Sequence, residues 1–153
     1  MAQEINQNQM EVSAMEPEGT ERSGGEMTDR NVTMTSAALA FLGDSVYELF
    51  IRNRIVCSCE GSADALNKRS KALTNAKAQA HIADRIQDLL TAQEMAVYKR
   101  GRNFKSLTAP RSCSISEYRR ATGVEALMGY LFLQGDRKRI EELILAGIQD
   151  LEE

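Results

Sequence analysis

The pattern of apolar and polar positions changes character at about residue 35. Residues 1–33 scatter Met, Glu, Gln, Gly and Ser without apolar periodicity, which leaves too little apolar surface to offset ordering entropy. They read as a disordered acidic tail (1–33) ahead of one domain (34–153). From Thr35 the apolar residues Leu39, Leu42, Val46, Leu49 and Phe50 recur at three- and four-residue steps, the period of a helix buried on one side. Thr35 or Ser36 caps this helix, which is predicted to run to about Ile55. Gly43 inside it costs about 1 kcal/mol relative to Ala, which predicts the close approach of another helix. A loop is predicted at 57–62, a second helix from about Ser62 to Ser70, and a third over about 72–90 with Leu73, Ala76, Ala80, Ala83, Ile86 and Leu90 on one side. Thr91 to Glu94 forms a capping box, so a fourth helix runs to about Arg100, with Gly101 as the residue that ends it. Ser114 to Glu117 is a second capping box. It opens a helix to about Leu133 whose inward residues are Val124, Leu127, Met128, Leu131 and Phe132. Gly135 ends that helix, and Asp136 caps a last one through about Leu151. Alternating strand patterns are absent. The expectation is an all-α domain of about five to seven helices.

Composition adds the following. The length of 153 residues suits one domain with a tail. Cys57, Cys59 and Cys113 cannot all pair within one chain, which points to reduced thiols in a cytoplasmic protein. No apolar run approaches the roughly 18 residues of a membrane span, and the acidic N-terminus lacks a secretory core. The sole histidine, His81, excludes metal sites needing two imidazoles. The net charge of −3 conceals a contrast, because residues 68–120 carry 12 bases against four acids, a balance of +8. A basic middle in an acidic protein suggests a polyanionic partner.

The candidate chemistry begins with two acids. Asp44 and Glu125 each interrupt an apolar helix face, where burial costs several kcal/mol unless the charge is paired. One reading is a buried salt bridge, for example to Arg119 or Arg120. The other is that the two carboxylates meet across a helix pair and hold a divalent cation through oxygen ligands. Glu48, one turn after Asp44, either serves as an outer ligand or pairs with Arg52, and the ion pair is favoured. The loop Arg100-Gly101-Arg102-Asn103-Phe104-Lys105 and the cluster Asn67, Lys68, Arg69 and Lys71 suit contact with a nucleic-acid backbone. His81 reads as a surface or packing residue. Cys57 and Cys59 form a lone C-x-C, too little for zinc.

Phe41-Leu42-Gly43-Asp44-Ser45-Val46 resembles the signature helix of the ribonuclease III family, and Val124-Glu125-Ala126-Leu127-Met128-Gly129 resembles its second acidic helix. Leu39 to Glu48, Asn75 to Ala80, Lys99 to Ser106 and Tyr118 to Leu133 are similar to four blocks of the Mini-ribonuclease III branch, a catalytic domain without an appended double-stranded-RNA-binding domain. The resemblance implies a ribonuclease III-like endonuclease domain that cleaves double-stranded RNA as a homodimer with Mg2+, leaving 5′-phosphate and 3′-hydroxyl ends. It also implies maturation of precursor ribosomal RNA of the large subunit (23S). By that resemblance Asp44 and Glu125 are the catalytic and metal-holding carboxylates. The RNA-contact set is Lys68, Arg69, Lys77, Arg100, Arg102, Asn103 and Lys105. Two departures stand out: Ala40 and Thr122 occupy places where longer family members carry further acids, and Mini members share this thinning. In the dimer, Gly43 is expected at the crossing of two signature helices, with Phe41 and Leu42 buried across the two-fold axis. Shape-based reading of A-form RNA gives little sequence preference. Further selectivity is expected from docking on structured RNA or on a ribosomal protein. The rival classes are a non-catalytic helical RNA-binding dimer in ribosome assembly and a protein-binding helical module.

Overall fold

The computed structural model describes residues 34–104 and 109–151; the tail 1–33 and Lys105 lie outside the described residues. The described residues form six α-helices: α1 (Ser36–Ser58), α2 (Ala63–Thr74), α3 (Ala76–Ile86), α4 (Ala92–Arg102), α5 (Ile115–Leu133) and α6 (Arg137–Ile148). There is no strand among the described residues, in accord with the all-α expectation. A short 3-10 turn, Gln87–Leu89, joins α3 to α4. None of the described helices is long and apolar enough to cross a membrane.

The caps follow the sequence signals. Thr35 accepts the Ala38 N–H, and the capping boxes at Thr91/Glu94 and Ser114/Glu117 are both closed. Gly135 takes φ +74°, the left-handed conformation that ends α5, and Asp136 then caps α6.

Several helix ends shift by a few residues from the sequence expectation (α1 runs on to Ser58, α3 stops at Ile86 and α6 at Ile148), and two differences matter for the packing. The third predicted helix breaks at Asn75, so α2 runs on to Thr74 and α3 starts at Ala76. Asn75 causes the break. Its Oδ1 accepts the Ala78 N–H at 3.0 Å while its Nδ2 donates to the Lys71 and Ala72 carbonyls at 3.0 and 3.1 Å. One side chain thereby closes one helix and opens the next. Gly101 does not end α4 but lies buried within it, and Asn103 is the cap. A Cβ at Gly101 would sit 2.6 Å from the Ala126 Cβ and 3.1 Å from the Gly123 Cα. The glycine lets α4 lie on α5.

α5 is the central helix, and α1, α3 and α4 all pack on it. Tyr47, Ile51, Ile82, Ile86, Leu127, Met128, Ile140 and Leu143 are fully buried in one core. Each such aliphatic side chain contributes roughly 1.5–3 kcal/mol through burial. At the α1–α5 crossing the backbones touch. A Cβ on Gly43 would fall 1.6 Å from the Glu125 carbonyl oxygen, and one on Gly129 would fall 2.1 Å from that of Leu39. The close partner of Gly43 is therefore α5 of its own chain, not a second copy of α1, which corrects the expectation from the dimer. Leu42 likewise packs partly against its own core, whereas Phe41 is 85% exposed.

Candidate active site

The glycine crossing fixes the position of the two acids. Asp44 follows Gly43 on α1, and the Glu125 carbonyl is the atom Gly43 abuts, so both residues belong to the same helix junction, and the Asp44 charge acts on the Glu125 carboxyl. Asp44 lies on the exposed side and Glu125 deeper, half-buried. Burial, and then the Asp44 charge, push the Glu125 carboxyl up to about 7, with a Gln79 hydrogen bond opposing them in part. Burial, and then the Glu48 charge, raise Asp44 above its ordinary range. The repulsion between the two acids is expressed mainly on Glu125, the less hydrated of the pair.

The buried-salt-bridge reading is not what the fold provides. Arg120 pairs with Asp84, and Asp44 and Glu125 have no cationic partner among the described residues. Glu48 takes its favoured alternative, with Arg52 Nη2 at 2.6 Å. No group of three or more His, Cys, Asp or Glu suited to a metal ion occurs among the described residues, which leaves Asp44 and Glu125 as the candidate pair. A hard divalent cation that keeps most of its water fits this donor set, because Mg2+ is commonly held by one or two carboxylates. The positions where longer family members carry acids are closed: Ala40 is buried, and the buried Thr122 donates its hydroxyl to the Tyr118 carbonyl at 3.0 Å.

Two polar neighbours escaped the sequence reading. Tyr47 is fully buried and donates to the Leu73 carbonyl at 2.7 Å; burial first, and then the Glu125 charge, push its phenol far above the usual range. Gln79 is only 2% exposed, and its amide meets Glu125. The available signal was a single polar amide amid alanines on α3.

The basic candidates divide. Lys68, Lys77, Arg100 and Asn103 are exposed. Arg69 donates to the Cys59 thiol at the end of α1. Lys77 lies close enough to Glu117 to lower that carboxyl, whose first cause is the Ser114 backbone N–H. Arg102 lies 5.7 Å from the Tyr98 ring centroid and donates to the Asn103 side chain at 3.3 Å. No hydrogen bond or ion pair joins any of these to Asp44 or Glu125 among the described residues. The cysteines are free thiols, and His81 is half-buried with no part in the acid pair.

Fold and junction together give, among the described residues, an all-helical domain with a candidate paired-acid site. Residues 37–136 match the Ribonuclease III domain family. The Mini-ribonuclease 3 of Thermoanaerobacter is 41% identical over 122 residues, covering 80% of this chain and 86% of that one. That of Streptococcus pneumoniae is 36% identical over 128 residues, covering 82% and 99%. A crystal structure of a Fusobacterium nucleatum protein superposes with a TM-score of 0.70 at 34% identity, over 78% of this chain and 95% of that one. The chain belongs to the ribonuclease III family, on its Mini-ribonuclease 3 branch.

Proposed function

We propose that this protein is a Mg2+-dependent endoribonuclease that cuts double-stranded RNA as a homodimer and matures the precursor of large-subunit (23S) ribosomal RNA in the cytoplasm. The observation that carries the reading is Glu125: a half-buried carboxyl beside Asp44, with no cation from the described protein to neutralise it. A group kept so far from its ordinary ionisation marks a functional site better than a structural one. Asp44 and Glu125 would hold the cation. When bound, it supplies an acidified water and charge neutralisation at phosphate. The protein's own part is to fix the two carboxylates through the glycine-locked helix crossing. Lys68, Lys77, Arg100, Arg102 and Asn103 would contact phosphates and 2′-hydroxyls, as suits recognition of A-form RNA by shape. Arg69 would join them after release from Cys59, and Lys105 continues the same run in sequence.

Support for the homodimer comes from α1. Phe41, Leu49 and Val56 are 85%, 60% and 65% exposed, at intervals of eight and seven residues that place them on one stripe. Exposed large side chains in a row suit a self-complementary two-fold contact, and each subunit would then cut one strand. Products would carry 5′-phosphate and 3′-hydroxyl ends. A ribosomal protein would supply selectivity by presenting the RNA.

The test is cleavage of duplex and precursor ribosomal RNA by the wild type and Asp44→Asn, with Mg2+ or EDTA. Cleavage by the wild type in Mg2+ alone, lost in Asp44→Asn while the dimer persists, is expected. Binding without cleavage would make the chain a non-catalytic RNA-binding dimer, and wild-type turnover by Asp44→Asn would remove Asp44 from the site.

A further inference from the structure

Gln79 is a buried polar side chain at the acid junction, and nothing in the reading above uses it. It lies on α3 and is 2% exposed as a whole residue. Its Nε2 donates to the Thr74 carbonyl at 3.4 Å, and the same amide hydrogen-bonds the Glu125 carboxylate. Both partners are acceptors, so both need N–H. An amide nitrogen carries two hydrogens, and these two contacts use them. With Glu125 ionised, a flipped amide would set oxygen against oxygen, which favours this orientation. The consequence falls on Oε1, which is buried and has no hydrogen-bond partner. An orphaned buried acceptor is destabilising, and an apolar residue among these alanines would avoid that cost.

We propose that Gln79 is a positioning residue of the cation site: its Nε2 holds the Glu125 carboxylate in place from α3, and its Oε1 accepts a hydrogen bond from a water in the hydration shell of the cation that Asp44 and Glu125 hold. This rests on the proposed Mg2+ site. With only two carboxylates available, most of the cation's shell is water, and such water needs acceptors. Gln79 adjoins Glu125 through its amide, and its Oε1 is an acceptor without a partner. Its position is set by the break at Asn75, one turn before it, where α3 begins, and α3 packs on α5.

The test uses full-length, RNA-free protein. Mn2+ binding is followed by the electron paramagnetic resonance of free Mn2+ in the wild type, Glu125→Gln and the near-isosteric Gln79→Met. Thermal melts run alongside. Glu125→Gln is expected to abolish the site. Gln79→Met is expected to weaken Mn2+ binding about tenfold, as loss of such outer partners does, and to raise the Mg2+ concentration needed for half-maximal cleavage while leaving the KM for RNA unchanged. A lowered melting temperature with wild-type Mn2+ affinity would make Gln79 purely structural and overturn the proposal. A readout on the wild type covers the case in which Gln79→Met fails to fold. There the side-chain amide resonance of Gln79 is expected to move on Mg2+ addition, and a fixed resonance overturns the proposal. Mn2+ binding that ignores Glu125→Gln would overturn the cation site itself, and the role of Gln79 with it. Binding lost in Glu125→Gln but intact in Gln79→Met overturns the Gln79 role alone.

Discussion

Glu94 and Glu125 are two carboxylates taken out of water in one small domain, and the fold treats them oppositely. At Glu94 burial would push the carboxyl up, but Arg139, the Thr91 backbone N–H and the Thr91 side chain hold it below its ordinary value. Arg139 meets it as a fork, Nε on Oε1 and Nη2 on Oε2, both at 3.0 Å, and Nη2 also reaches the Leu89 carbonyl at 2.6 Å. Those contacts tie the start of α4 to α6 and to the turn before α4. At Glu125 the charge arriving from across the helix junction has the same sign, and the only helper is a neutral amide. A carboxylate that closes a corner is matched by the protein. The proposed working carboxylate has no such match among the described residues, and the two ionisation shifts run in opposite directions.

The largest effect should come from Glu125→Gln, which is predicted to lower duplex-RNA cleavage by at least about a thousandfold, equivalent to several kcal/mol of lost charge stabilisation at phosphate. A loss below tenfold in single-turnover cleavage would put Glu125 outside the chemistry. The same change should stabilise the metal-free protein at pH 8. Raising the folded-state value from an ordinary 4.5 to about 7 makes the native state lose stability as pH climbs between those values. Glu125→Gln should therefore melt higher than the wild type at pH 8, by on the order of 2 kcal/mol, and converge with it below pH 4.5. Equal melting at both pH values would contradict the shift.

Gly43→Ala attacks the junction directly. The added methyl would collide with backbone, not with a flexible side chain end, and a cost of about 3 kcal/mol or more is expected, read by denaturant unfolding. A cost under 1 kcal/mol would show that the helices part easily. Glu94→Gln should give the mirror image of Glu125→Gln. It is expected to destabilise by roughly 2 kcal/mol at neutral pH, since the pair is buried on one side only, while cleavage per folded molecule stays unchanged. Because its folded value is lowered, Glu94 contributes above pH 4.5, and the difference from wild type should vanish as pH falls through that lowered value. Reduced cleavage by fully folded Glu94→Gln would blur the division between the two acids. The smallest effect is expected for Arg102→Ala, which should reduce the salt slope of RNA binding by about one; an unchanged slope would place Arg102 off the RNA path.

Most of the fold was legible in the sequence because its signals are local. Capping boxes, an apolar period and Gly135 are read within one or two turns of chain. Asn75 and Gly101 misled because their meaning is set by context. Asn75 bonds both backward and forward, and Gly101 answers to α5, more than 20 residues away in sequence. Asp44 and Glu125 were legible as acids on apolar faces and through their family resemblance. Gln79 was not, because a neutral amide carries no charge to look misplaced, and only the packing of α3 on α5 puts it against Glu125.

The ionisation of Glu125 itself, followed by carbon-13 resonance of its carboxyl in full-length protein with and without Mg2+, tests the central claim most directly. A midpoint near 7 without Mg2+, falling well below that when Mg2+ saturates, is the predicted result. A midpoint in the ordinary carboxylate range, or one indifferent to Mg2+, would contradict it.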